Sequence, residues 1–438
     1  MKSIDRRRFL KGVLAGLGAW LLARCRPAVP SPPTVTSAPP TAGVAPSPTP
    51  TGAPPTPAPQ AAIAPTATSV PSPTATATST PSPTAPPSPP RANRVAHVHS
   101  PAATYWDFAS GWYGDHVDQA VVDAMVEEGL RQLTGASSAA DAWTVLLPDY
   151  RPGQKIAIKV NFNNSDRNGG NCSQQGNIID GLPQPVLALV RTLVEGRGVD
   201  PADIWIYDAT VGRGRFLPDR FRLPIQAAYP GIVFWGRKEC AQPPPFDHVD
   251  ESLRISFSAP TLTDRWLTDL LYWATYLINI PILKRHGIHP VTLGFKNHFG
   301  SIDNVVRGGE DDLHQYLTTR SPLYQPTLSP LVDIYANPNI AGKTVLTMGD
   351  GLFGAPGAVQ PPIPWKTFGG APNSLFFSRD PVAIDCVMCD LLRSEWRGIP
   401  GDAYDYLRLA ADRGLGTFEA GDPWGSGYRY IDYVRVDL

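Results

Sequence analysis

Residues 91–438 predict an α/β domain built on a mostly parallel sheet with flanking helices. Three observations carry this fold class: strand-length apolar or alternating runs recur along the chain, helical patterns lie between them, and the connections are short. In chain order, residues 116–133 place Val117, Ala120, Val121, Ala124, Met125 and Leu130 at helical spacing. Pro152-Gly153 turns the chain into an alternating strand at 155–162, and a polar loop at 163–181 leads on to a helix at 185–195. An apolar strand at 204–207 then ends before Asp208. Strand, helix and strand in that order predict a βαβ unit. Residues 276–283 read as a buried strand whose end Pro281 pushes towards an edge. Residues 344–349 form a further strand ending in the Asp350-Gly351 turn, and 374–378 a short one. Helices follow at 381–392 and 403–413, and 430–436 alternates like a closing edge strand. The stretch 212–258, rich in Pro, Arg and aromatics, shows neither period and reads as a long irregular insertion in a single large domain.

Ahead of this domain the composition changes twice. Residues 1–26 carry seven Lys/Arg and one acidic residue, residues 27–90 carry no charge and 22 prolines, and the remainder holds 31 basic against 38 acidic residues. The acidic balance of the domain disfavours a nucleic-acid partner, and a hydrophobic content of 42% excludes a wholly disordered chain. Arg6-Arg7-Arg8-Phe9-Leu10-Lys11 followed by the apolar run 12–23 fits a twin-arginine export signal, and that run is too short for a membrane span. The expected partner is therefore the twin-arginine translocation machinery. Cys25, directly after Leu21-Leu22-Ala23-Arg24, is a lipidation candidate that would anchor the chain to a membrane, although Arg24 departs from the small residue usual there. Residues 27–90 read as an extended, disordered spacer that reaches on the order of 200 Å in polyproline II form. Cys172, Cys240, Cys386 and Cys389 are sparse, which suits folding in a reducing compartment before export. Cys386-x-x-Cys389 on an apolar helix reads as two core thiols, and there is no iron–sulfur run.

Ligands in open α/β sheets bind beyond the carboxyl ends of the strands. Polar residues gather at those ends: Lys159, Asn161 and Asn163, then Asp208, then Lys284, His286 and His289, then Asp350. The stretch 283–300 holds three histidines beside Lys284 and Lys296, with His314 beyond. Imidazoles near lysines suit acid–base work, since burial and neighbouring positive charge lower both pKa values towards neutrality. With Asp350 or Asp385 they also suit a divalent metal. The lysines suit a small anionic ligand. Gly212-Arg213-Gly214-Arg215 is a faint anion-turn signal without the third glycine of a dinucleotide fingerprint, and the phosphate-loop, nucleophile-elbow and zinc-protease motifs are absent.

Several of these pieces together resemble a known family. Ile158-Lys159-Val160-Asn161, the run from Asn279 to His286, the run from Thr292 to Gly300, Leu331-Val332-Asp333-Ile334, Asp350-Gly351 and the run from Ser378 to Asp385 are similar, in order and spacing, to the family called domain of unknown function 362, over roughly residues 150–395. The resemblance implies Lys159, Lys284, His286, Lys296, His314 and Asp350 as catalytic candidates, and Asn161, Thr292, Asn297 and Asp385 as substrate-binding ones. Many members carry ferredoxin-type cysteine runs, which implies redox chemistry; this chain departs from them in having no such run, so the resemblance does not extend to direct electron transfer. Two functions remain open: an extracytoplasmic enzyme acting on a small anion, with metal or redox chemistry as variants, or a tethered protein that binds the same ligand without turning it over.

Overall fold

The computed structural model describes residues 92–438 apart from 174–175, 210–214, 237–239 and 288; the twin-arginine pattern, Cys25 and the proline-rich spacer lie outside the described residues. Strand side chains alternate between the two faces of a sheet. In β2 (Lys155–Lys159), Ile156 and Ile158 accordingly enter one apolar core while Ala157 enters the other. Both faces of the sheet are thus covered. The remaining strands are β1 (Arg94–His99), β3 (Ile204–Tyr207), β4 (Val233–Trp235), β5 (Arg254–Ile255), β6 (Arg265–Trp266), β7 (Ala274–Asn279), β8 (Ile282–Arg285), β9 (Val291–Thr292), β10 (Thr344–Ala355), β11 (Ser374–Ser378) and β12 (Asp432–Asp437). The main path runs β12-β1-β11-β10-β7-β2-β3-β4, with β8 beside the far end of β10 and β9 beside β8; β5 and β6 pair separately. From β10 to β4 every pair is parallel. β11 runs antiparallel to β10 and β1, and β12 parallel to β1. The result is a large mixed sheet, mostly parallel, with helices on both faces.

One helical layer contains α1 (Gln119–Thr134), α2 (Ala139–Leu146), α3 (Pro183–Arg191) and α4 (Asp219–Ala228). Asp118 starts α1 by accepting from the N–H groups of Ala120 and Val121, and Gly135, at φ 73°, ends it. Gly129 lets α1 lie against the sheet, since a Cβ there would fall 2.1 Å from the Phe377 ring. The opposite layer contains α5 (Gly294–Asn297), α6 (Pro330–Tyr335), α7 (Pro381–Glu395) and α8 (Asp405–Asp412). Asp380 caps α7 through the N–H groups of Val382 and Ala383, ahead of Pro381 at the first helical position.

The structure corrects several boundaries. The strand expected at 276–283 is two strands, β7 and β8, because the chain changes partner at Ile280-Pro281. The Ile280 N–H donates to the Lys159 carbonyl at 2.8 Å, and the Pro281 carbonyl accepts from the Asp350 N–H at 2.8 Å. Asp350-Gly351 is no turn. β10 continues to Ala355 because β8 and β11 pair with it on either side, Asp350 opposite Ile282 and Leu375. The stretch 212–258 holds α4, with Pro224 inside it, and β4, neither of which its composition announced. Cys172 and Cys240 form a disulfide across 68 residues, a pairing that folding in a reducing compartment does not predict; Cys386 and Cys389 are the buried free thiols expected.

A cationic cleft over paired buried charges

A cleft of about 540 Å³ opens beyond the carboxyl ends of β2 and β3, bounded by the β8–β9 hairpin, α5 and the segments around 163–167, 305–314 and 356–360. Its wall carries Arg167, Arg215, Lys296, Arg307, His286 and His314, and among the described residues no Asp or Glu lines it. Phe299 and Val305 add apolar surface. Thr292 also lines the cleft, and its hydroxyl is buried with no hydrogen-bond partner among the described residues. A buried hydroxyl in that state is costly unless something else supplies the bond.

Lys296 owes its place to an acid on the other side of α5. The Asp385 carboxylate accepts from the N–H groups of Gly294 (2.8 Å) and Phe295 (3.1 Å) and from the Tyr406 hydroxyl (3.1 Å), tying α5 to α7. Lys296 then projects into the cleft with its Nζ 4.0 Å from the Phe299 ring centre and 3.3 Å from His314 Nε2. His314 Nδ1 lies 3.0 Å from Asp312 Oδ1. Asp312 is itself held by the N–H groups of His314 (2.9 Å) and Gly308 (2.9 Å). With the carboxylate accepting at Nδ1, the proton belongs there, and the Nε2 lone pair faces Lys296. The His286 ring stacks over that of His314 at 6.0 Å, and its Nδ1 accepts from the His289 N–H at 3.1 Å. Burial, and then the guanidinium groups of Arg307 and Arg215, hold the Lys296 amine well below the usual lysine range. Burial and then Lys296 bring His314 down to about 3, against the opposing Asp312. Burial and Lys296 likewise lower His286.

Directly beneath the wall the charges are matched. Lys159 and Asp208, both fully buried, stand 3.4 Å apart, and Arg215 reaches the same Asp208 oxygen at 3.5 Å. The other Asp208 oxygen accepts from the Phe162 N–H at 2.7 Å. Gly300 passes so close that a Cβ would sit 2.1 Å from Asp208 Oδ1 and 2.5 Å from Lys159 Nζ, so no side chain fits there. Lys284 donates to Asn161 Oδ1 at 3.2 Å, Asn161 Nδ2 to Asn297 Oδ1 at 3.0 Å, and Asn297 Nδ2 to Asn279 Oδ1 at 2.8 Å. This amide chain joins the ends of β2, β7 and β8 to α5. Burial lowers Lys159 and Lys284 to about 8, with Asp208 and Asp180 respectively opposing the shift.

Of the residues singled out from sequence, Asn161, His286, Thr292, Lys296 and His314 line the cleft. Lys159, Lys284 and Asn297 lie in the layer beneath it. Asp350 is buried within β10, where its carboxylate accepts from the Leu352 N–H at 3.1 Å, and it is not on the wall. Asp385 is spent on backbone N–H groups of α5 and does not reach the wall either. Sequence reasoning missed Arg167, Arg307, Asp180 and the orienting role of Asp312; the Gly-Arg-Gly-Arg run was the one signal that pointed to Arg215. Among the described residues no group of three or more His, Cys, Asp or Glu could hold a metal ion, and the guanidinium groups of the wall oppose a bare divalent cation.

A family model for a domain of unknown function, DUF362, matches residues 156–390, from β2 into α7, and so takes in every wall residue of the cleft. No curated protein and no solved structure matches the chain.

Proposed function

The chain belongs to the DUF362 family, and from that premise we propose that it is an exported enzyme acting on a small anionic substrate held in the cationic cleft. The composition of the wall carries this reading: three arginines, a lysine and two histidines, with no carboxylate among the described lining residues. Burial first, and then repulsion among the crowded cations, lowers Lys296, His314 and His286. An anion relieves that repulsion. Thr292 offers the anion a hydroxyl, and Asn161 presents a polar edge at the base of the cleft.

A tethered binding protein would need the same cations. The chain Asp312–His314–Lys296 favours the enzyme, because a receptor has no use for a base fixed in one tautomer by a backbone-anchored carboxylate. Export is supported by Arg6-Arg7 ahead of a short apolar run, by the proline-rich spacer, and by the Cys172–Cys240 disulfide, a bond that persists in oxidising compartments. Cys25 would serve as the membrane anchor in this reading.

Titration calorimetry with inorganic phosphate, sulfate, succinate and lactate tests the anion site. We expect at least one to bind more tightly than about 1 mM, and Arg307→Ala to weaken that binding. No binding by any of the four ends the reading. Fractionation of the native chain against an Arg6→Lys/Arg7→Lys variant tests export, which is expected to fail in the variant.

A further inference from the structure

We propose that Lys296 is a nucleophilic amine that forms a Schiff base with a carbonyl compound bearing an anionic group, of which the 2-oxo acids are the smallest. The proposal rests on the anion-site reading and adds a reaction to it. Three geometric facts carry it. The Lys296 amine is on the cleft wall, with its Nζ over Phe299 and no carboxylate among the described residues lining that wall. A base stands within reach, with His314 Nε2 at 3.3 Å. The base is oriented by a third group, Asp312, whose two oxygens are both fixed by backbone N–H donors. Nucleophile, base and orienting carboxylate in series are the arrangement that activates a side-chain nucleophile.

A cation that serves only to hold an anion gains from staying charged, usually with a carboxylate partner. Lys159 in the layer below has one in Asp208. Lys296 shares the cleft wall with Arg215, Arg307, His286 and His314, and among its described neighbours the carboxylate nearest in this chain of contacts is Asp312, on the far side of His314. Such surroundings favour the neutral, nucleophilic amine. The arginines meanwhile suit the carboxylate or phosphate of the substrate, leaving its carbonyl towards Nζ.

The step balances without an outside reagent. The Lys296 nitrogen lone pair forms the N–C bond and the carbonyl π pair moves to oxygen. His314 Nε2 takes one of the two amine protons, and the resulting imidazolium is stabilised by Asp312. That proton passes to the oxygen, giving a carbinolamine. The C–O bond then breaks, water leaves with the second amine proton, and the imine remains.

Reductive trapping tests this on the full chain. The protein is incubated with pyruvate, glyoxylate or 2-oxoglutarate and cyanoborohydride, digested, and read by peptide mass spectrometry. For pyruvate the expected product is a Lys296 peptide heavier by pyruvic acid less one oxygen atom. Modification should approach one per chain, be slowed by excess lactate, and be absent at the exposed Lys366. Lys296→Arg keeps a cation and removes the amine, and should abolish the adduct; an adduct of equal yield in that variant overturns the assignment. His314→Gln should slow trapping on the order of a hundredfold. If lactate or phosphate binds but none of the three oxo acids marks Lys296, the Schiff base falls and the anion site stands. If no anion binds and no adduct forms, both fall.

Discussion

The wall of the cleft and the layer directly beneath it are built from the same residue types and treat charge in opposite ways. Beneath, Lys159 meets Asp208 at 3.4 Å, and Lys284 ends on an amide chain with Asp180 opposing its loss of charge. On the wall, Arg167, Arg215, Lys296 and Arg307 share a cleft with no lining carboxylate among the described residues. A buried charge without a partner is expensive, so the lower layer is organised for stability. The wall instead gathers its positive charge around open space. Arg215 belongs to both, since it lines the cleft while touching Asp208 at 3.5 Å.

The largest effect should come from breaking the lower layer. Asp208→Ala strands the fully buried Lys159 and is expected to cost about 3–5 kcal/mol in urea unfolding, whether or not ligand is present. A cost near zero would mean that the two layers are not different in kind. On the wall the pattern should invert: the exposed Arg167→Ala is expected to change stability by no more than about 0.5 kcal/mol, yet to weaken anion binding by about 1.5–3 kcal/mol, read by calorimetry. Proton linkage sharpens the contrast further. An arriving anion favours the charged form of His286, which is lowered in the free cleft, so binding takes up protons and tightens as pH falls. Calorimetry in two buffers of different ionisation heat measures that uptake. Outside the comparison stands Asp350, which lies in neither layer and which burial raises to about 7. Its folded form keeps a proton that the unfolded form loses near pH 4. Its contribution is therefore present below about pH 4 and lost as pH rises towards 7. Asp350→Asn should flatten that decline in a pH series of unfolding curves.

How much of this was legible follows from where each residue sits. Ile156, Ile158, Ile204 and Ile206 alternate on regular strands, and the polar residues just past such strands could be placed because the connections are short. Lys296 and Thr292 follow from their closeness to that register. Asp350 misled because Asp-Gly is a turn signal only when the flanking strands end, and pairing with β8 and β11 carries β10 five residues further. The residues that do leave β10 for the cleft are those around Pro356–Gln360. Asp385 entered through the family resemblance, and the structure sets it on the N-terminal amides of a second helix, off the cleft wall. Arg167 and Arg307 stand in aperiodic loops whose course depends on tertiary contacts, such as the Asn164 amide donating to the Ala358 carbonyl at 2.9 Å. The Cys172–Cys240 pair spans 68 residues with no spacing rule to announce it.

The sheet also has a mechanical character. β1 is the first described strand and β12 the last, and they run parallel in unbroken register from Arg94 opposite Asp432 to His99 opposite Asp437. A pull between the start of β1 and the end of β12 therefore acts along both strands, loading their cross-strand bonds together in shear instead of opening them one by one. β11 grips β1 along its other edge. Under the proposed amino-terminal tether, the strand that takes the load is clamped on both sides.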